Sequence, residues 1–253
     1  VGGQWYADGQ RKSQGVQIGF PGCPWIRIGS RGRIARDPPC FLATGNAHKV
    51  AEIRAGLGPA VQLISTRDIP SVIEPDETGQ TFEANAQIKA VAWARIWPGP
   101  RASSHYWVLA DDSGLEVDVA RRPGIHSARF ASLDTGRPGN SPDAENNAKL
   151  MRLLAAIPEE RRTARFRCVL PCPRSSPGRR KKELMAKTRT VDGTCEGRIT
   201  RSAAGAHGFG YDPLFVPEGH AESFAQLGDD IKNQISHRAR ALVRLRQLFS
   251  ELR

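Results

Sequence analysis

From residue 41 onward, apolar positions recur in two rhythms that divide the chain into short strands and amphipathic helices. Phe41-Leu-Ala43 is a brief apolar run ending a buried strand. Ala47–Leu57 follows with helical spacing and is closed by Gly58, a residue suited to a helix C-terminus. Val61–Ser65 is strand-like. Thr81 is a good cap for a helix carrying Phe82, Ala86, Ala90 and Trp93 on one face. Trp107–Ala110 predicts another strand, and Leu115, Val117 and Val119 alternate with Glu116 and Asp118 as in a half-buried strand. Ala144–Ile157 predicts a helix with Leu150, Leu153 and Leu154 inward. Arg165–Leu170 predicts a strand that Pro171 and Pro173 cut short. A glycine-rich stretch leads to Tyr211–Val216. A last helix starts at Ser236, with Ala241, Leu242, Leu245, Leu248, Phe249 and Leu252 at i, i+3, i+4, i+7 spacing. Strands mixed with helices in this way predict an α/β or α+β sheet flanked by helices. Residues 1–40 show neither rhythm and are broken by glycine and proline, which predicts a poorly ordered N-terminal extension ahead of one domain at 41–253.

Composition narrows the class. The chain has 253 residues, 39% of them hydrophobic, enough for one substantial core. No run approaches the roughly 18–20 apolar residues that cross a bilayer, and Val1-Gly-Gly-Gln-Trp-Tyr6 lacks the regions of a signal peptide, so no membrane role is expected. The five cysteines are an odd number with no Cys-x-x-Cys pair, which predicts reduced thiols in a cytoplasmic protein rather than disulfides or a zinc site.

A net charge of +11 suggests nucleic acid, but the excess is local. Residues 1–40 hold six Lys/Arg against two Asp/Glu, and residues 165–201 hold eleven against three. The remainder is close to neutral. The densest run, Arg179-Arg-Lys-Lys182, sits in a Pro/Ser/Gly-rich stretch and predicts a solvated loop. The charge distribution therefore argues against a nucleic-acid partner.

Candidate chemistry starts at two helix N-termini. Thr44-Gly-Asn-Ala-His-Lys49 turns from a strand into a helix with His48 and Lys49 in its first turn, and Ser236-His-Arg238 places two potential cations at the start of the last helix. The helix dipole disfavours cations there by a few tenths of a kcal/mol each. An anion held between the free N–H groups and these side chains accounts for both. The spacing is not that of a Walker A loop. Two acidic pairs add to this, Asp76-Glu77 before the Thr81 helix and Asp111-Asp112 after a strand. Mg²⁺ takes a few carboxylates, keeps several waters and bridges to phosphates, and one carboxylate can deprotonate an attacking water. Asp111-Asp112-Ser-Gly114 is equally compatible with a plain turn. Gly205-Ala-His-Gly-Phe-Gly-Tyr-Asp-Pro213 lets backbone approach a flat ligand, with Phe209 able to stack on a base, and is also compatible with a hairpin around a buried Phe.

Six segments in one order resemble the inosine triphosphate pyrophosphatase family: Thr44-Gly-Asn-Ala-His-Lys49 with Glu52; Thr81-Phe-Glu-Ala-Asn-Ala86 with Lys89; Ala110-Asp-Asp-Ser-Gly-Leu115; Ser127-Ala-Arg-Phe130; Gly208-Phe-Gly-Tyr-Asp-Pro213; and Ser236-His-Arg238. The resemblance spans about residues 41–250. It implies an α/β, elongated two-lobed fold around a long mixed central β-sheet flanked by helices, with the active site in the inter-lobe cleft, and a homodimer. It implies Mg²⁺-dependent conversion of ITP, dITP and XTP to monophosphate and pyrophosphate. By that likeness Thr44, Gly45, Asn46, Ala47, His48, Lys49 and Lys89 hold substrate, the triphosphate above all. Asp76 and Asp112 bind metal, and Asp112 also takes the proton of the water attacking the α-phosphorus. Ser113 contacts substrate, Phe209, Gly210, Tyr211 and Asp212 line the base pocket, and Lys232, His237 and Arg238 read the 6-oxo edge of the purine. Three features depart from the pattern. Asp76 stands where glutamate is usual, which brings Glu77 forward as a metal ligand. The first strand is short, and the segment after Leu170 is Pro171-Cys-Pro-Arg174 instead of an apolar strand. A related pyrophosphatase for other modified nucleotides, or an impaired basic relative that binds nucleic acid, is the alternative reading.

Overall fold

The computed structural model describes residues 40–59, 61–69, 75–96, 106–120, 122–175 and 178–251, which belong to one compact unit, Ala35–Arg253. Apart from Cys40, the N-terminal extension lies outside the described residues, as does Leu252. The helices are α1 (Ala47–Leu57), α2 (Phe82–Ile96), α3 (Asp143–Leu154), α4 (Lys181–Lys187), α5 (Phe224–Ile235) and α6 (His237–Glu251).

Strands β1 (Cys40–Leu42), β2 (Leu63–Ser65) and β3 (Trp107–Leu109) form a parallel sheet in the order β2-β1-β3. Side chains alternate across it. Cys40, Leu42, Trp107 and Leu109 pack against Val50, Ile53 and Leu57 of α1 and Leu242, Leu245 and Phe249 of α6. Phe41 and Val108 face the opposite way, onto Ala90, Val91 and Trp93 of α2 and Leu184 of α4. Each run is buried on both sides and so reads as continuous apolar sequence. β1 leads through α1 to β2 on one side, and β2 leads through α2 to β3 on the other. The connections diverge at the C-terminal ends of β1 and β3, where ligands collect in open parallel sheets.

A second sheet is antiparallel, in the order β5 (Arg122–Pro123), β4 (Asp112–Val117), β6 (Thr163–Cys172), β7 (Arg189–Ile199), β8 (Phe215–Pro217). Leu115, Val117, Phe166, Cys195 and Phe215 on one face bury Leu150 and Leu154 of α3 and Phe224 of α5. The expected mixture of parallel and antiparallel pairing is present, but hydrogen bonding divides it between two sheets. They meet where Val108 N–H donates to the Pro173 carbonyl at 2.9 Å and Ser175 N–H to the Tyr106 carbonyl at 2.7 Å.

That junction corrects one expectation. Pro171 and Pro173 do not cut the strand at Leu170, because β6 continues to Cys172 with Pro171 paired to Thr190. The two prolines lack an N–H but offer carbonyls to Ala110 and Val108, so the strand still bonds across the junction. Three smaller corrections share one cause, that tertiary packing outweighs local pattern. Val119 lies in a turn beyond β4, Leu153 is exposed while Leu150 and Leu154 are buried, and the basic run enters helix α4 because Leu184 is buried under α2. Around that run, Arg180 pairs with Glu183 and Arg95 Nε donates to the Arg179 carbonyl at 3.3 Å.

Two buried cations brace the second sheet. Arg162 donates to the carbonyls of Leu154, Ile157 and Thr200 at 2.5, 3.0 and 2.9 Å, satisfying carbonyls at and just beyond the end of α3. Lys149 donates to the Phe130 carbonyl at 2.7 Å and pairs with Asp134 at 2.6 Å, tying α3 to the loop that follows β5. Cys40, Cys168, Cys172 and Cys195 are all buried.

Candidate active site

The site gathers at the C-terminal ends of β1 and β3. Beyond β1, Asn46 caps α1, its Oδ1 accepting from the N–H groups of His48 at 3.0 Å and Lys49 at 3.1 Å. Thr44 Oγ1 accepts from Asn46 N–H at 3.2 Å and shapes the same turn. Gly45, Asn46, Ala47 and His48 are exposed and Lys49 is half-buried, as a turn that receives a ligand requires.

Beyond β3 the chain passes from one sheet to the other through Asp111, and here two adjacent carboxylates part company. Asp111 is wholly buried. It pairs with Lys49 at 2.6 Å, accepts from Arg238 Nε at 2.8 Å and from Ser113 Oγ at 2.8 Å. Burial alone would raise its pKa, but Arg238 and Lys49 hold it well below the usual carboxylate range. Asp112 opens β4. Its Oδ2 is buried and has no hydrogen-bond partner among the described residues. Burial lifts its pKa to about 6, against the pull of Lys49 and Lys89 and with Glu77 and Asp111 adding to the rise. Glu77 is therefore close enough to act on Asp112, and it forms an ion pair with Lys89. Asp76 is exposed and has no contact comparable to that of Glu77. Thr81 Oγ1 accepts from Ala84 N–H at 3.1 Å, capping α2 as expected and holding Lys89 and Glu77 on this side.

The other wall comes from the loop between β7 and β8 and from the junction of α5 and α6. Gly208 has φ +75°, and any side chain there would strike the Asp212 carboxylate, so only glycine suits the turn. Asp212 accepts from Phe209 N–H at 2.8 Å and pairs with Lys232 at 2.5 Å. Lys232 reaches Glu52 at 2.7 Å, and Glu52 also pairs with Arg238. Three carboxylates, Glu52, Asp111 and Asp212, thus balance three cations, Lys49, Lys232 and Arg238. Tyr211 turns its hydroxyl to the Ser127 carbonyl at 2.9 Å. His237 is buried, stacked on Phe166 with centroids 4.8 Å apart. Burial, then Arg238 and Lys232, push its pKa well down, so the ring is neutral and offers one N–H and one lone pair. α6 reaches this position because β7 carries Gly193, where a Cβ would collide with the His237 carbonyl and Ala241 N.

Between these walls lies a pocket of about 140 Å³ lined by Asn46, Lys49, Ser113, Phe209, His237 and Arg238 among others. A larger depression of about 920 Å³ lies elsewhere, along Phe82, Ile125, Leu133, Arg167 and Val191, and Asp112 and Glu77 line neither cavity, but only the smaller one carries residues of both helix starts together with Phe209. We place the chemistry in the smaller one.

The geometry revises one step of the sequence argument. The cations at the two helix starts do converge on an anion, but that anion is Asp111, supplied by the protein. Asp111 and Glu52 belong to this network, although the sequence offered Asp111 only as one of an acidic pair for Mg²⁺ and Glu52 only as a companion of the Thr44–Lys49 segment. Their signal was present, since a cation set against a helix dipole needs a counter-charge, but only the tertiary register shows which carboxylate supplies it.

A turn at two strand ends, a carboxylate with an unsatisfied oxygen beside a second one, and an aromatic pocket are the parts that a nucleotide-type site on an α/β fold needs. The chain belongs to the Ham1 family, whose model matches residues 40–248. It is 45% identical over 210 residues to a dITP/XTP pyrophosphatase of Nitratidesulfovibrio vulgaris, covering 82% of this chain and 94% of that protein. It is 44% identical over 208 residues to a dITP/XTP pyrophosphatase of Pseudomonas syringae pv. tomato, covering 81% and 94%. Among solved structures, the Ham1 protein of Staphylococcus aureus aligns with a TM-score of 0.67 and 32% identity, covering 85% of this chain and all of that one (100%). A HAM1 protein from Coxiella burnetii aligns at 0.69 and 33%, covering 85% and 99%. The family resemblance drawn from six short segments is therefore borne out along nearly the whole described chain.

Proposed function

We propose that this protein is a Mg²⁺-dependent hydrolase of deaminated purine nucleoside triphosphates, converting ITP, dITP and XTP to the monophosphate and pyrophosphate. The observation that carries the reading is Asp112, a buried carboxylate with an orphaned oxygen, next to Glu77 and flanked by Lys49 and Lys89. The relatives' names, dITP/XTP pyrophosphatase, support the substrate class.

Asp112 and Glu77 fit a hard dication. They are mutually repelling carboxylates, and Asp112 Oδ2 has no donor among the described residues. No group of three or more such ligands occurs among the described residues, and a Mg²⁺ ion that keeps waters and shares substrate phosphates needs fewer. The ion, when bound, neutralises phosphate charge and makes a bound water more acidic. The Lys49 ammonium, held at the start of α1 by the Thr44–Asn46 turn, binds the phosphates, and Lys89 adds a second cation. Asp112 accepts the proton of the water that attacks the α-phosphorus, and a pKa raised toward neutrality suits a general base. Phe209 stacks on the purine, with Gly210, Tyr211 and Asp212 shaping the pocket. Ser113 and neutral His237 offer hydrogen bonds, and Lys232 and Arg238, held by Glu52, Asp111 and Asp212, stand ready to read the 6-oxo edge.

A site that donates to a 6-oxo group leaves buried donors unpaired when a 6-amino group arrives, a penalty worth orders of magnitude. Incubation of ITP, XTP, ATP and dTTP with Mg²⁺ is expected to release pyrophosphate from ITP and XTP at least about 100-fold faster than from ATP or dTTP. Orthophosphate as the product, or equal rates on all four, would sink the proposal.

We further read the protein as a cytoplasmic homodimer. Its buried thiols suit a reducing compartment, and no helix among the described residues is long and apolar enough to cross a membrane. We assign the contact between copies to the 920 Å³ depression, where exposed Leu133 stands beside Ile125 and Val191 and beside charged groups of both signs. Sedimentation at micromolar concentration is expected to give twice the chain mass in the parent protein, and the chain mass in Leu133→Asp. A monomeric parent contradicts it.

A further inference from the structure

Phe209 has a neighbour that the reaction does not call for. The His48 ring lies against it with centroids 4.9 Å apart and planes 15° from parallel. Phe209 lines the 140 Å³ pocket, with Lys232 Nζ 4.4 Å and the Arg238 guanidinium 6.0 Å from its ring centre, both of them pocket residues. His48 is not part of the pocket wall, so it backs the ring from outside. No base fits between the two rings, since a flat ligand sandwiched there needs roughly 7 Å, two van der Waals layers of about 3.5 Å.

The contact also closes a circuit. His48 and Glu52 are i and i+4 on α1 and so share a face. Glu52 holds Lys232, Lys232 holds Asp212, and Asp212 accepts the Phe209 N–H. The base loop is gripped by one helix at two points, through its ring and through its backbone. The same helix begins at Asn46, whose side chain receives the His48 N–H and the Lys49 N–H. A single element thus sets both the phosphate turn and the stacking surface.

The geometry points to His48 as a positioning residue that fixes the Phe209 ring for the purine and couples the base loop to the phosphate turn. It acts through Phe209 and does not bind phosphate itself. This rests on the reading of 209–212 as the base loop.

The test compares parent, His48→Ala and His48→Phe, measuring kcat and KM for ITP and inhibition by inosine monophosphate, which carries the base, and by pyrophosphate, which does not. A lost aromatic stack is expected to raise KM for ITP and weaken inosine monophosphate inhibition about 3- to 10-fold in His48→Ala. Its kcat and its inhibition by pyrophosphate stay within about twofold of the parent, and His48→Phe restores both affinities. Weakened pyrophosphate inhibition in His48→Ala would overturn the inference by placing His48 on the phosphates. So would a His48→Phe variant as impaired as the alanine, or an alanine variant with unchanged KM. Pyrophosphate release from ITP by the parent tests the function itself, and the variant ratios test only the stack.

Discussion

Asp112→Asn is expected to lower kcat on ITP by about 1,000-fold or more while leaving the fold intact. The change keeps the volume of a side chain that is buried at the head of β4 and removes its charge. General-base loss alone costs about 10²–10⁴ in rate, and the same oxygen would hold the metal, so the two losses fall on one step. Stability moves the other way. The folded state lifts the Asp112 pKa to about 6, above its value in the unfolded chain. An acid so shifted is penalised wherever it is ionised in the fold, that is, above pH 6, and the penalty fades as pH falls through that value. The neutral amide removes a burden of order 1–3 kcal/mol at pH 7. Thermal melting should therefore show the Asp112→Asn variant to be no less stable than the parent. In the same pyrophosphate-release assay, Glu77→Gln is expected to lose far more activity than Asp76→Asn, because Glu77 faces Asp112 and Asp76 is exposed. Undiminished turnover in Asp112→Asn would remove the base and the metal ligand from the mechanism together.

Elements with local punctuation were legible in the sequence. α1 runs from Ala47 to Leu57 as expected, because Asn46 caps it and Gly58 ends it, both through contacts inside a few residues. α2 after Thr81 and α6 after Ser236 were legible for the same reason, with Ser236 Oγ accepting from Ala239 N–H at 3.2 Å. β7 was missed, since Gly193 and Gly197 weaken any strand pattern. Their purpose is visible only in three dimensions, where α6 backbone lies against Gly193 and β8 against Gly197. The run through Pro171 was misread because its carbonyls serve Val108 and Ala110, at and just beyond β3, a segment far back along the chain.

The site divides in the same way. The residue types were legible, and their division of labour was not. Asp111 and Asp112 are indistinguishable in sequence, yet adjacent residues entering a strand point to opposite sides. One therefore meets Lys49 and Arg238 and the other meets Glu77. Which is which depends on the register of β4 against β6, Asp112 opposite Val169, a relation that no local pattern encodes.

Arg238→Leu is expected to cost about 3–5 kcal/mol of stability, the largest structural loss of any single change at the site. Its guanidinium is 1% exposed and holds Asp111, Glu52 and Ser113. Removing one partner of a buried pair leaves the other charge desolvated and uncompensated, which costs far more than the pair itself contributes. Here two buried carboxylates each lose a cation at once, leaving Lys49 alone to serve Asp111 and Lys232 to serve Glu52. Acid titration separates this from a packing defect. In the parent, burial is outweighed by the cations, and both carboxylates have pKa values below their unfolded ones. They contribute stability above about pH 4, and that contribution is lost as pH falls through the folded values. Without Arg238, burial weighs more and the folded pKa values rise, so protonation relieves the variant at a pH where the parent gains nothing. The stability difference between parent and variant, measured by urea unfolding, should therefore narrow as pH is lowered from 7 to 5. A gap that stays constant over that range would assign the loss to packing and remove the charge network as the reason Arg238 is buried.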